Sequence, residues 1–147
     1  MGINHWLAKI RQRLFPTKTL GQRGEDAAAR FLRRLGYKIV ARSARVNPRR
    51  RNSGEVDIVA VDGKQLVFTE VKTRTSHDKG HPADAVDDEK QRRLTQSALA
   101  FLKRHDLLEN SSRFDVIAIT WPTGTKRPTI EHFKNAFEAV GRGQMFS

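Results

Sequence analysis

The segment GEVDIVAVDGKQLVFTEVKTR, residues 54–74, carries the plainest structural signal in the chain. Residues 55–61 read as a strand, with Val56, Ile58 and Ala60 expected on one face and Asp57, Val59 and Val61 on the other. Asp62-Gly63 is a hairpin signal. Residues 65–73 return as a second strand, with Leu66, Phe68, Glu70 and Lys72 on one face and Val67, Thr69 and Val71 on the other. Both strands are apolar on both faces, which places them in the centre of a sheet covered from two sides.

Three charges interrupt this apolar pattern: Asp57, Glu70 and Lys72. A buried charge needs a partner or a metal ion. Glu70 and Lys72 are two residues apart and share a face, and the hairpin brings Asp57 beside Glu70 if the register puts them on the same face. Paired carboxylates with a neighbouring ammonium suit a hard divalent cation, Mg²⁺ above all. The same spacing is also that of a buried ion network without chemistry, and spacing alone leaves both readings open.

Elements on either side complete an α/β pattern. Before the hairpin, Thr19 is a helix N-cap, Ala27, Ala28, Phe31, Leu32 and Leu35 form an apolar face, and Gly36 is a stop signal. Residues 37–41 read as a short strand, and residues 42–54 as a basic loop. After the hairpin, residues 87–105 form a long helix with Leu94, Ala98, Phe101 and Leu102 on its apolar stripe. Residues 113–120 are a third central strand. Residues 130–133 read as an edge strand and residues 135–140 as a short closing helix. Strands and helices mixed in this order give an α/β sandwich.

Residues 1–18 read as a basic amphipathic appendage. Ile3, Leu7, Ile10 and Leu14 form one helical stripe with Trp6 beside it. A helix lying on the domain or a partly ordered tail is the plainer expectation; contact with a membrane or DNA is the other. Residues 19–140 form the main domain and 141–147 a tail.

The 147 residues suit one domain, and their 28 Lys and Arg against 16 Asp and Glu give a net charge of +12. The excess is one-sided. Residues 1–54 hold 14 basic and 2 acidic side chains, while residues 55–147 hold 14 of each. Such a field attracts polyanions, nucleic acid first among them, with an anionic membrane surface or a solubilising charge coat as the alternative. No apolar run reaches the ~20 residues of a membrane span. The absence of cysteine excludes disulfides, thiolate metal sites and a Cys nucleophile. The first residues lack a secretory pattern, since Lys9, Arg11 and Arg13 break any apolar run, and the expected location is the cytoplasm.

Gly54-Glu55-Val56-Asp57 followed by Glu70-Val71-Lys72 resembles the D…E-x-K signature of restriction-endonuclease-like nucleases. The wider series is more specific. It comprises residues 21–28 (GQRGEDAA), 54–60 (GEVDIVA), 67–74 (VFTEVKTR), a loop at 82–86 with Lys90, Arg93 and Leu94, Phe114-Asp115-Val116, and His132 with Asn135-Ala136-Phe137. It resembles the bacterial YraN family (UPF0102), viewed as endonucleases distantly similar to archaeal Holliday junction resolvases. The resemblance spans about residues 19–138. The stretch 45–53 departs from it in being longer and richer in arginine.

The resemblance implies a restriction-endonuclease-like three-layer sandwich with a central mixed sheet flanked by helices. It also implies a metal-dependent endonuclease acting on branched or single-stranded DNA in repair or recombination. Asp57 and Glu70 become ligands of Mg²⁺ or Mn²⁺, Glu25 completes the site as ligand or water holder, and Lys72 is the catalytic lysine. Glu55 either orients the hairpin or faces solvent. Charge and position make Arg74, Lys90, Arg93, Arg49, Arg50 and Arg51 the candidate DNA contacts. His77 and His81 read as incidental, and Trp121 and Phe137 as packing residues. A homodimer follows by analogy with junction resolvases, and recombination or repair proteins are further possible partners. The alternatives are a nucleic-acid-binding module without turnover and a repair adaptor acting through the N-terminal helix.

Overall fold

A computed structural model describes residues 2–14, 16–45, 47, 49, 54–78, 80–81, 84 and 86–140. The elements run α1 (Ile3–Leu14), α2 (Leu20–Arg34), β1 (Lys38–Arg45), β2 (Glu55–Asp62), β3 (Gln65–Arg74), α3 (Asp88–Arg104), β4 (Ser112–Thr120) and β5 (Thr129–Phe137). The five strands form one sheet in chain order. Only β3 and β4 pair in parallel, and α3 is the crossover that this requires.

The two faces of the sheet bury separate cores. On one, Ala27, Ala28 and Leu32 of α2 meet Ile58, Ala60, Val67, Ile117 and Ile119. On the other, Leu94, Ala98, Phe101 and Leu102 of α3 meet Val59, Phe68, Phe114 and Val116. The result is the three-layer α/β sandwich of restriction-endonuclease-like proteins, with β2, β3 and β4 apolar on both sides because helices cover both.

Local signals fix the helices. Thr19 and Gln22 close a capping box on α2, and Gly36 leaves the helix at φ +91°, a conformation that disfavours residues bearing a Cβ. Asp87 caps α3 by accepting the Lys90 N–H at 2.8 Å. Gly63 turns the hairpin at φ +62° between the paired Asp62 and Gln65.

Four expectations change. First, β1 continues to Arg45, because the ladder with β2 extends to Arg45↔Glu55 and overrides the loop-like composition. Second, residues 135–137 are strand, not helix. Phe137 pairs with Phe114, while Asn135 sits at φ +49° and donates its N–H to Asp115 Oδ1 at 2.9 Å. Third, Val56 and Ile58 lie in opposite cores. Strict alternation would put them together, so the pleat is broken at Asp57. On β1 the same break falls at Ser43, φ +52°, between the pairs Arg42↔Ile58 and Ala44↔Val56. Fourth, α1 does not bury its stripe on the domain: Ile3, Trp6, Leu7 and Leu14 are 50–71% exposed. The tail at 141–147 lies outside the described residues.

Candidate functional site

The broken pleat shapes the site. The β2–β3 pairing runs from Asp62↔Gln65 to Ile58↔Thr69. One step further, the Asp57 side chain takes over: its Oδ2 accepts the Val71 N–H at 2.8 Å. This draws the Asp57 carboxyl beside Glu70, whose side chain is only 4% exposed.

Two ammonium groups meet Glu70. Lys90 Nζ of α3 lies 3.0 Å from Oε1, and Lys72 Nζ lies 3.6 Å from the same oxygen. The other oxygen, Oε2, is buried and receives no donor from the protein. Burial, followed by the Glu70 charge, pushes the Asp57 carboxyl up to about 8, against the pull of the Val71 N–H. Asp57 and Glu70 therefore carry a standing demand for positive charge.

Glu25 stands on α2 near this pair. Burial raises its pKa most; Arg42 lowers it, and the charges of Glu55, Glu70 and Asp26 raise it further. Arg42 reaches Glu25 Oε2 at 4.0 Å and Asp26 Oδ1 at 2.9 Å. Among the described residues no three His, Asp or Glu side chains are gathered closely enough to hold a metal ion, so Glu25 does not close a ligand triad with Asp57 and Glu70. Glu55 instead receives Arg45 Nε at 2.8 Å.

Two glycines set the helices against the site. A Cβ on Gly24, next to Glu25, would fall 1.8 Å from Thr73 Oγ1, so α2 rests directly on β3. A Cβ on Gly54 would fall 2.7 Å from Ser97 Oγ and 3.1 Å from the Arg93 carbonyl, so the entry to β2 abuts α3. Both approaches require a residue without a side chain.

The candidate DNA contacts divide. Lys90 is turned inward on Glu70. Arg74 Nη1 donates to the Gly80 carbonyl at 2.9 Å. Arg93 is exposed and pairs with Glu89 at 3.2 Å along α3. Arg49 is exposed, and its N–H meets Asn47 Oδ1 at 3.0 Å. Arg50 and Arg51 lie outside the described residues, as does Pro82. His77 Nδ1 lies 3.5 Å from Thr120 Oγ1. Trp121 is buried, with Arg23 over its ring, and Phe137 stacks on Phe114, so both aromatics are packing residues.

A second buried polar cluster joins β4 to β5. Asp115, fully buried, accepts Arg113 Nε at 2.9 Å, meets His132 Nε2 at 2.7 Å and accepts the Asn135 N–H. Burial opposes its ionisation, but the bonds from His132, Arg113 and Asn135 outweigh it and hold the carboxyl below its usual range. Arg113 also reaches Asp62 and the Tyr37 hydroxyl. The signal in the sequence was Arg113 and Asp115 two residues apart on an otherwise apolar strand.

The profile of the uncharacterised protein family UPF0102 matches residues 24–119, which contain Glu25, Asp57, Glu70, Lys72 and Lys90. The chain belongs to the UPF0102 family. A UPF0102 protein of Geobacter sulfurreducens is 52% identical over 121 residues, covering 82% of this chain and 90% of its own. One from Rhodopirellula baltica is 47% identical over 125 residues, covering 83% of this chain and 72% of its own. One from Anaeromyxobacter dehalogenans is 41% identical over 125 residues, with 85% and 88% covered. The UPF0102 match embraces the hairpin, the crossover helix and both carboxylates that face each other. No helix among the described residues is long and apolar enough to cross a membrane.

Proposed function

We propose that this UPF0102 protein is a metal-dependent endonuclease that hydrolyses phosphodiester bonds in DNA, with branched or single-stranded substrates favoured. The observation that carries the reading is half-buried Asp57 beside buried Glu70, with one Glu70 oxygen lacking a protein donor and two lysines on the other. These donors fit Mg²⁺ or Mn²⁺: both are hard oxygen ligands, and their mutual repulsion is what a divalent cation relieves. Asp57 and Glu70 would hold the ion, and Glu25 would assist through water. When bound, such an ion polarises the phosphate and acidifies water.

The protein's own groups have separate tasks. The Val71 N–H keeps the Asp57 carboxyl turned toward Glu70. Lys72, partly exposed, offers an ammonium to a phosphoryl oxygen or an attacking water. Lys90 holds Glu70 in place from α3. Arg93 and Arg49 present exposed charge for backbone phosphates, a contact that is salt-sensitive and blind to sequence. A homodimer and repair or recombination partners belong to the same proposal.

Purified protein is expected to nick flapped or branched DNA with Mg²⁺ or Mn²⁺, and Glu70→Gln and Lys72→Met to abolish this. Cleavage equal in the wild type and both variants would refute the assignment. A second reading, nucleic-acid binding without turnover, draws on the ammonium groups already placed on Glu70 and on the lack of a three-ligand cluster among the described residues. Calorimetry decides between them: Mn²⁺ heats that vanish in Asp57→Asn support the enzyme, and no Mn²⁺ heat in the wild type supports the binding module.

A further inference from the structure

We infer that α1 is a docking helix that seats this protein on anionic lipid surfaces. This stands apart from the Asp57–Glu70 site and goes beyond the nuclease reading.

The argument begins with what α1 leaves uncovered. Ile3 is 71% exposed, Trp6 60%, Leu7 50% and Leu14 68%. At 3.6 residues per turn these four and Ile10 fall within an arc of roughly 100°. A continuous apolar stripe of this kind marks an interaction surface. A helix of only 12 residues is also marginal alone in water and gains from an apolar surface to lie on.

Charge selects the occupant. The first acidic residue of the chain is Glu25, and residues 1–24 carry Lys9, Arg11, Arg13, Lys18 and Arg23. At 100° per residue Arg11 falls about 40° beyond one edge of the apolar arc and Lys9 about 60° beyond the other, within reach of a lipid headgroup layer for snorkelling cations. Trp6 on the stripe matches the preference of indole for that layer. A second copy of α1 fits less well. The 3-7-10-14 spacing forms a two-heptad seam, but pairing would bring together helices that both carry basic side chains and no acidic one. A nucleic-acid backbone matches the cations and has no use for the stripe. At ~1.5 Å per residue the helix reaches about 18 Å, too short to cross a bilayer, so it lies in the plane of the surface.

The test uses the full chain. Vesicles of phosphatidylcholine doped with phosphatidylglycerol are expected to sediment the protein, and pure phosphatidylcholine vesicles to do so far less. Trp6→Ala combined with Leu7→Ala should weaken anionic-vesicle binding about tenfold or more. Lys9→Gln combined with Arg11→Gln should weaken it about tenfold on anionic vesicles and leave neutral vesicles unchanged. Trp6 fluorescence should shift to the blue on binding. Absence of binding to anionic vesicles, or equal binding by wild type and the Trp6/Leu7 variant, overturns the inference. So does a dimer that the Trp6/Leu7 substitutions dissociate while vesicle binding persists.

Discussion

Lys90 on the crossover helix places its ammonium 3.0 Å from Oε1 of Glu70, nearer than Lys72 on Glu70's own strand at 3.6 Å. A lysine from another layer of the sandwich is thus the closest cation to the most buried carboxylate of the site. The capping bond from the Lys90 N–H to Asp87 fixes the base of that side chain.

Removing this cation leaves Glu70 less compensated. Lys90→Met is expected to lower stability at neutral pH by about 1–2 kcal/mol, the cost of breaking a buried pair reduced by the partial exposure of Lys90 and the presence of Lys72. Lys90→Arg should retain most of it. Urea denaturation in a chelator reads the difference, and a Lys90→Met midpoint equal to the wild type would contradict the pairing.

The Asp57 carboxyl rises from 3.8 to about 8 in the folded protein. Between those values the folded chain keeps a proton that the unfolded chain releases. Its contribution is therefore full below pH ~4 and is lost as pH climbs toward 8. Asp57→Asn should match the wild type near pH 4 and exceed it by roughly 2–5 kcal/mol above pH 8, in the absence of divalent metal. Thermal melts across pH with EDTA test this; parallel profiles for the two proteins would count against it.

Asp115 titrates in the opposite sense. Its folded pKa is depressed, so its stabilisation is present at neutral pH and is lost as pH falls below the ordinary Asp range. Asp115→Asn breaks the bonds with Arg113 and His132 and should cost about 3–5 kcal/mol at pH 7. The gap to the wild type should narrow in acid. Chemical denaturation at both pH values measures it.

Gly24→Ala forces a methyl into Thr73. The expected loss is about 1–3 kcal/mol, with α2 pushed off β3 at the residue next to Glu25. Thr73→Ala removes the nearest atom and should restore part of the loss. The Thr73 Cβ, 2.9 Å from the added atom, remains in the way of full rescue. Melting temperatures of the two single variants and the double variant close the cycle.

The hairpin and its charges were legible in residues 54–74, because alternation and Asp62-Gly63 are local signals. Lys90 was readable only as surface charge, since nothing local tells that α3 folds its first turn over Glu70. The end of β5 departs from its local signals for the same reason: the Asn135 N–H bond to Asp115 spans 20 residues. The break at Asp57 escaped strict alternation because it depends on a side chain replacing a backbone partner. The stripe on α1 was visible, but its lack of a neighbour is a tertiary fact.

The parallel junction between β3 and β4 also orders events on the ribosome. The hairpin that carries Asp57 and Glu70 leaves the exit tunnel before α3 does. Without that crossover, Asp57 and Glu70 lack the Lys90 ammonium. Closure of the site thus depends on the helix that links β3 to β4, and a chain stalled before residue 90 would carry the acids without their nearest counter-charge.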